Sequence, residues 1–160
     1  MDPHLRQRVL AIYAEADAAA AAAGPVCQSS GRCCRFAEYG HTLYISELEA
    51  EVLLATAPDY TQVTPAGCPF QVNNLCTARE ERPLGCRVYF CDPSFKDTMP
   101  KIMETGIAQL KTLTAELGRE WNYAPLHQFL GQALLAGRRQ SLPVVNHWTA
   151  ANAENSEKRI

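Results

Sequence analysis

All seven cysteines of this chain fall in one 65-residue window, at Cys27, Cys33, Cys34, Cys68, Cys76, Cys86 and Cys91. Soft thiolates gathered in this way suit zinc, copper(I) or iron–sulfur clusters. The part of the window from 58 to 98 also carries too few periodic apolar residues to order itself. A stretch of about 40 residues with little regular structure needs another source of order in a compact domain. A metal bound by four of its side chains would supply that order. The cysteines therefore constrain the fold: helices have to be arranged around an irregular, metal-stapled centre.

The remaining sequence provides those helices. Residues 1–24 read as an N-terminal helix, with Leu5, Val9, Ile12 and Tyr13 at helical spacing and Gly24-Pro25 ending it. Ser46 with Glu49 is a capping-box pattern that opens a helix over 47–56, with Leu48, Val52 and Leu53 facing inward and Pro58 stopping it. Residues 26–42 read as an irregular loop. Cys68 to Cys76 reads as two short strands around an Asn73-Asn74 turn, because asparagine tolerates positive φ. A short helical turn is expected after Pro83. Ile102, Ile107, Leu110, Leu113 and Leu117 mark a helix over 99–117, with Thr98 as its cap and Pro100 in its first turn. Another helix fits 125–136, and the polar residues 150–160 read as a flexible tail.

At 160 residues and 47% hydrophobic composition, the chain is expected to form a single domain over 1–160 with an ordinary core. Its cysteine-rich metal-binding core spans 25–98, and the C-terminal helices occupy 99–149. The expected class is mostly α: a small helical domain around an irregular cysteine-rich metal-binding centre, with a short β-hairpin.

The spacing divides the thiols into Cys27, Cys33 and Cys34, then Cys68, Cys76, Cys86 and Cys91. The second group alone offers four thiolates, enough for a four-thiolate zinc site or a four-iron cluster. It is therefore expected to matter more for metal retention. Neighbouring residues of an extended segment point to opposite sides, which argues against Cys33 and Cys34 facing one metal. The rival arrangement folds the loop 27–35 over the centre and mixes both groups.

No pair of C-x2-C knuckles is present, as zinc ribbons and fingers would have. Iron–sulfur proteins use more varied spacings, at times with proline after a ligand, and Cys68-Pro69 fits that habit. The reading favours an iron–sulfur cluster, [4Fe–4S] first, over Zn2+. Arg32, Arg35, Arg79, Arg82 and Arg87 stand beside the cysteines. Cations there lower thiolate pKa and offset the charge of a thiolate-ligated centre. Arg82 and Arg87 are the candidates for hydrogen bonds to sulfur, against the plainer reading of surface charges. Complete disulfide pairing is opposed by the odd number of thiols, and a metal-free catalytic thiol is a lesser alternative.

These elements together resemble the YkgJ-type CxxCxxCC cysteine-cluster family. The residues that carry the resemblance are Cys27-Gln-Ser-Ser-Gly-Arg-Cys33-Cys34-Arg35, Cys68-Pro69, Cys76, Arg82-Pro83-Leu-Gly-Cys86-Arg87-Val-Tyr89 and Cys91, with Tyr44-Ile-Ser-Glu-Leu-Glu-Ala between the two groups. It covers about residues 27–95. The resemblance implies a zinc- or iron-chelating domain. A related domain occurs in flagellin lysine methylases, where an iron–sulfur cluster is expected. It implies no reaction. One departure stands out: the family's second cysteine corresponds to Ser30, whose hydroxyl is a poor ligand for soft metals. A centre near Ser30 would keep a non-cysteine ligand or an exchangeable position, with His41, Asp92 and water as candidates.

For His41 the plainer role is packing or solvent exposure, and for Asp92 it is turn capping before Pro93. His4, His127 and His147 read as surface or core residues. Tyr39, Tyr44, Tyr89 and Phe90 are expected to shield the centre, and Trp121 and Trp148 to anchor packing. The net charge of −2 gives nucleic-acid binding no general electrostatic support. No Gly-rich phosphate loop, nucleophile elbow or HExxH motif is present. No signal-peptide pattern or run of about 18 apolar residues is visible, so the expected location is cytoplasmic, with no membrane partner. The functional expectation is a metal-binding protein with a redox or sensing role, and a protein redox partner accompanies it. The alternatives are a structural zinc-binding interaction module and an iron or copper(I) handling protein. The sequence leaves open whether the chain is an enzyme and what its oligomeric state is.

Overall fold

The computed structural model describes residues 2–137. The expectations for His147, Trp148 and the tail 150–160 lie outside the described residues. The first helix, α1 (Pro3–Ala23), starts where the Asp2 side chain accepts from the His4 amide. It ends at Gly24, whose φ of 67° lets its N–H reach back to the carbonyls of Ala20 and Ala21. Leu5, Val9, Ile12 and Tyr13 form its buried stripe, as their spacing predicts.

A 3-10 turn at Arg32–Cys34 and the short α2 (Phe36–Tyr39) follow, in the segment expected to be irregular. Strand β1 (Tyr44–Ser46) leads into α3 (Glu47–Thr56). The capping box is present in full: Glu49 N–H donates to Ser46 Oγ, and Ser46 N–H donates to the Glu49 carboxylate. The expected hairpin is β2 (Gln71–Val72) and β3 (Leu75–Cys76), turning through Asn73 and Asn74 with φ of 50° and 64°. The short helix after Pro83 is α4 (Leu84–Val88).

The long α5 (Met99–Glu116) carries Pro100 in its first turn, but Thr98 makes no side-chain cap. Thr98 has helical backbone angles, which aim its hydroxyl away from the amides that a cap must satisfy. Strand β4 (Tyr123–Pro125) opens directly into α6 (Leu126–Gly137). It pairs antiparallel with β1, with Ile45 opposite Ala124. At three residues each, these strands are too short to show a period of two, so the sequence gives no sign of them.

The fold is thus mostly helical with small antiparallel pairs, as expected. Its core has two lobes that share α3. Leu48 and Val52 pack with α1, α4 and α5, burying Val9, Tyr13, Leu84 and Leu110. Leu53 and Ala50 pack with Phe36, Ile45, Phe70 and Leu130. A buried carboxylate joins the parts: Glu49 accepts from the Ser46 hydroxyl at 2.9 Å and from the Leu84 amide at 2.8 Å. Its hydrogen bond to Leu84 fixes the start of α4, which presents Cys86. Burial raises the Glu49 pKa, and the hydrogen bonds it accepts oppose that shift only in part. The buried Tyr13 hydroxyl lies near enough to feel the Glu49 charge, without a well-formed hydrogen bond.

Candidate metal centre

The first cysteine loop is laced onto the second. The Cys68 amide donates to the Cys34 carbonyl at 2.8 Å, and the Ala37 amide to the Ala66 carbonyl at 2.9 Å. Gln71 on the hairpin donates its side-chain amide to the Gly31 carbonyl at 2.8 Å. Gly31 has a φ of 71°, and an added Cβ would collide with the Gln71 amide and come within 3.1 Å of Asn74. Only glycine allows this approach without strain. At the other end, the Val26 amide donates to Asp92 at 3.0 Å. The two sequence groups of cysteines are therefore one spatial group.

Two adjoining chambers divide the thiols. The outer one, of about 170 Å3, is lined by Cys27, Cys33, Cys76, Cys86 and Cys91. The inner one, of about 30 Å3, is lined by Cys33, Cys34, Cys68, Cys76 and Cys86. Cys33, Cys76 and Cys86 border both. The separation into a weak first group and a self-sufficient second group does not describe this geometry, because hydrogen bonds between the loops bring both to the same walls. Cys33 and Cys34 are also not splayed apart. The 3-10 turn replaces the extended segment assumed for them and brings their sulfurs to 3.9 Å.

All seven thiols are free. Among the described residues, no three Cys, His, Asp or Glu side chains stand arranged to hold a metal ion. The crowding still has a chemical consequence. The Cys33 thiol is pushed far up by its contact with Cys34 and by burial, while Arg82 pulls it down. Burial, then the neighbouring Cys34, Cys33 and Cys76, raises Cys86, and Arg82 again opposes this. Cys86 is half-buried and borders both chambers. Such thiols lose their protons together only when a cation comes among them.

The two arginines have different roles. Arg87 is a buried tether: it donates to the carbonyls of Arg82 and Glu80, pairs with Asp17 at 2.5 Å and lies 4.5 Å over the Tyr13 ring. Its guanidinium is committed to holding α4 against α1. Arg82 borders both chambers, and its Nε is buried with no hydrogen-bond partner among the described residues. Its charge is what opposes the upward shifts of Cys33 and Cys86 and so favours thiolate beside it. Arg32 and Arg79 also border the outer chamber.

Ser30 lies within the site, its Oγ 3.4 Å from Cys91 Sγ and 3.5 Å from the Arg32 amide. Asp92 is occupied elsewhere, accepting from the Ser94 amide and hydroxyl and from Val26. Hydrogen bonds from Ser94, then Val26, hold its carboxyl below the usual range. That is the turn-capping role. His41 stacks on Tyr89 at 5.3 Å and meets Phe36 edge-on, which is the packing role. Of the aromatics expected to shield the centre, Tyr89 and Phe90 border the outer chamber, Tyr44 stacks on Tyr123 away from both chambers, and Tyr39 lies under Arg32 and Arg35. His4 is exposed and His127 half-buried, and Trp121 packs against the first core lobe. Sequence reasoning missed Gln71; the only signal for it is a glycine that an opposing polar side chain must reach.

The fold and the site define a small, mostly helical protein whose cysteines converge from two loops and a short helix. Comparison with family models, curated proteins and solved structures finds no match to this chain. The resemblance to the YkgJ-type family rests on the quoted residues alone, and none of these comparisons adds to it. Among the described residues, no helix is long and apolar enough to cross a membrane.

Proposed function

We propose that the chain is a metal-binding protein that holds an iron–sulfur cluster, [4Fe–4S] first, through its clustered thiolates. The carrying observation is the convergence of both cysteine groups on one pair of chambers beside an unpartnered Arg82 Nε. The donor set fits such a cluster, because it is all sulfur and bordered by guanidinium groups that offset its charge. Cys33, Cys76, Cys86 and Cys91 would hold it from the outer chamber. Cys27, exposed on its loop, or Ser30 would complete or cover the site. A bound cluster supplies one-electron chemistry or a redox-sensitive structural state. The protein's part is to neutralise its charge through Arg82 and to limit water through Tyr89 and Phe90. The cytoplasm, with a protein redox partner, is the setting this chemistry implies.

A structural zinc site is the second reading, favoured by the size of the inner chamber. About 30 Å3 admits one small ion among five thiols and no cluster. Anaerobic reconstitution in the presence of iron, sulfide and zinc separates the two. The iron–sulfur reading expects broad visible absorption, with iron and acid-labile sulfide in equal amounts. Uptake of zinc alone, without colour, would replace it with the structural reading.

A further inference from the structure

A third cavity lies on the far side of the wall formed by Cys33 and Cys86. Its volume is about 440 Å3, within the usual range for small-molecule sites of roughly 300–1,000 Å3. Among the described residues, no Asp, Glu, Lys or Arg side chain lines it. Two stacked ring pairs do: His41 with Tyr89, centroids 5.3 Å apart, and Tyr44 with Tyr123, 5.8 Å apart. Met99 and Met103 reach it from α5. Thioethers are adaptable surfaces that favour aromatic neighbours. The His41 ring is held in the wall by its Nε2, 3.5 Å from the Cys33 carbonyl.

We propose that this cavity binds a small, uncharged molecule with a flat aromatic ring. The uncharged lining rejects ions, which would lose their hydration with no compensating charge. The ring faces and thioethers reward a flat π-system over an aliphatic one of equal size. Ligand pockets commonly combine such an apolar wall with a few placed polar groups. Because Cys33 and Cys86 form the shared wall, an occupant would lie directly behind the thiols. The assignment rests on the lining alone and stands whether or not those thiols carry metal.

The chain has three methionines, and Met99 and Met103 line this cavity, so their methyls report on it directly. Full-length protein as purified, labelled with 13C at the methionine methyls, is titrated with indole. Parallel titrations use benzoate and cyclohexanol, and Met99→Leu and Met103→Leu assign the signals. Indole should shift the Met99 and Met103 methyls with saturation below about 1 mM. Benzoate and cyclohexanol should bind at least about tenfold more weakly. Met103→Trp, which fills the cavity, should weaken indole by a similar factor. Should that variant fail to fold, Thr42→Trp at the exposed rim serves in its place. The proposal is overturned by any one of three results. These are no indole-dependent shift at Met99 or Met103, equal shifts with cyclohexanol or benzoate, or shifts that follow protein concentration, which would mark a contact between copies. Metal content is measured on the same sample, so failure here leaves the metal reading untouched.

Discussion

Gly31→Ala probes the contact that joins the two cysteine groups. Two costs follow from the structure. An alanine at a φ of 71° pays about 1 kcal/mol for the left-handed backbone. Its Cβ also displaces the Gln71 amide, losing a 2.8 Å hydrogen bond to the Gly31 carbonyl for about 1 kcal/mol more. The Asn74 backbone at 3.1 Å cannot swing aside as a side chain can, so the total is about 2–3 kcal/mol. Gly24→Ala is the matched control, because Gly24 has a φ of 67° with open space around its Cβ. It should cost the backbone term alone. Urea unfolding of both variants measures the difference. In a Gln71→Ala background, Gly31→Ala should cost about 1 kcal/mol less, since the displaced amide is already gone. Metal retention should fall in Gly31→Ala and hold in Gly24→Ala. If both glycine variants lose equal stability and keep equal metal, Gly31 is an ordinary turn residue and the clamp does not exist.

Single Cys→Ser replacements scored by metal content should fall hardest at Cys33, Cys76 and Cys86, which border both chambers, and least at the exposed Cys27. Equal losses at all seven positions would contradict that order. Arg82→Gln should leave urea stability within about 0.5 kcal/mol while shortening the oxygen lifetime of the centre. Arg87→Ala should cost about 1–3 kcal/mol, because it removes the guanidinium that bonds the Arg82 and Glu80 carbonyls, pairs with the half-exposed Asp17 and packs on Tyr13, as a denaturation midpoint will show. The raised pKa of Glu49 favours its neutral form in the folded state. Its contribution is therefore fully present below the ordinary carboxylate range and lost as pH rises through the raised folded value. The difference in stability between parent and Glu49→Gln should shrink across that interval; a pH-independent difference would show that Glu49 does not titrate there.

The helices were legible because their signals are local. Leu5, Val9 and Ile12 repeat at helical spacing, and Ser46 with Glu49 specifies a start that the structure reproduces bond for bond. The Asn73-Asn74 turn was legible for the same reason. The pairing of β1 with β4 was not, because it joins residues about 80 positions apart through three-residue strands. The cysteines were legible as a set but not as an arrangement. Spacing along the chain set Cys33 and Cys34 apart from Cys86, whereas loop-to-loop hydrogen bonds such as Cys68 to Cys34 place them together. Arg82 and Arg87 read alike in sequence, and only packing separates the orphaned cation from the tether. Hydrogen exchange extends this contrast: complete metal removal should release protection across 58–98 and spare much of α5 and α6. An unchanged exchange pattern would refute a structural role for the metal.

The most direct test of the central claim is metal and acid-labile sulfide analysis of the protein purified without oxygen, with the absorption spectrum of the same sample. The account predicts a brown protein with about four iron and four sulfide per chain, and loss of both in Cys86→Ser. A colourless protein that holds only zinc, or no metal at all, would contradict it.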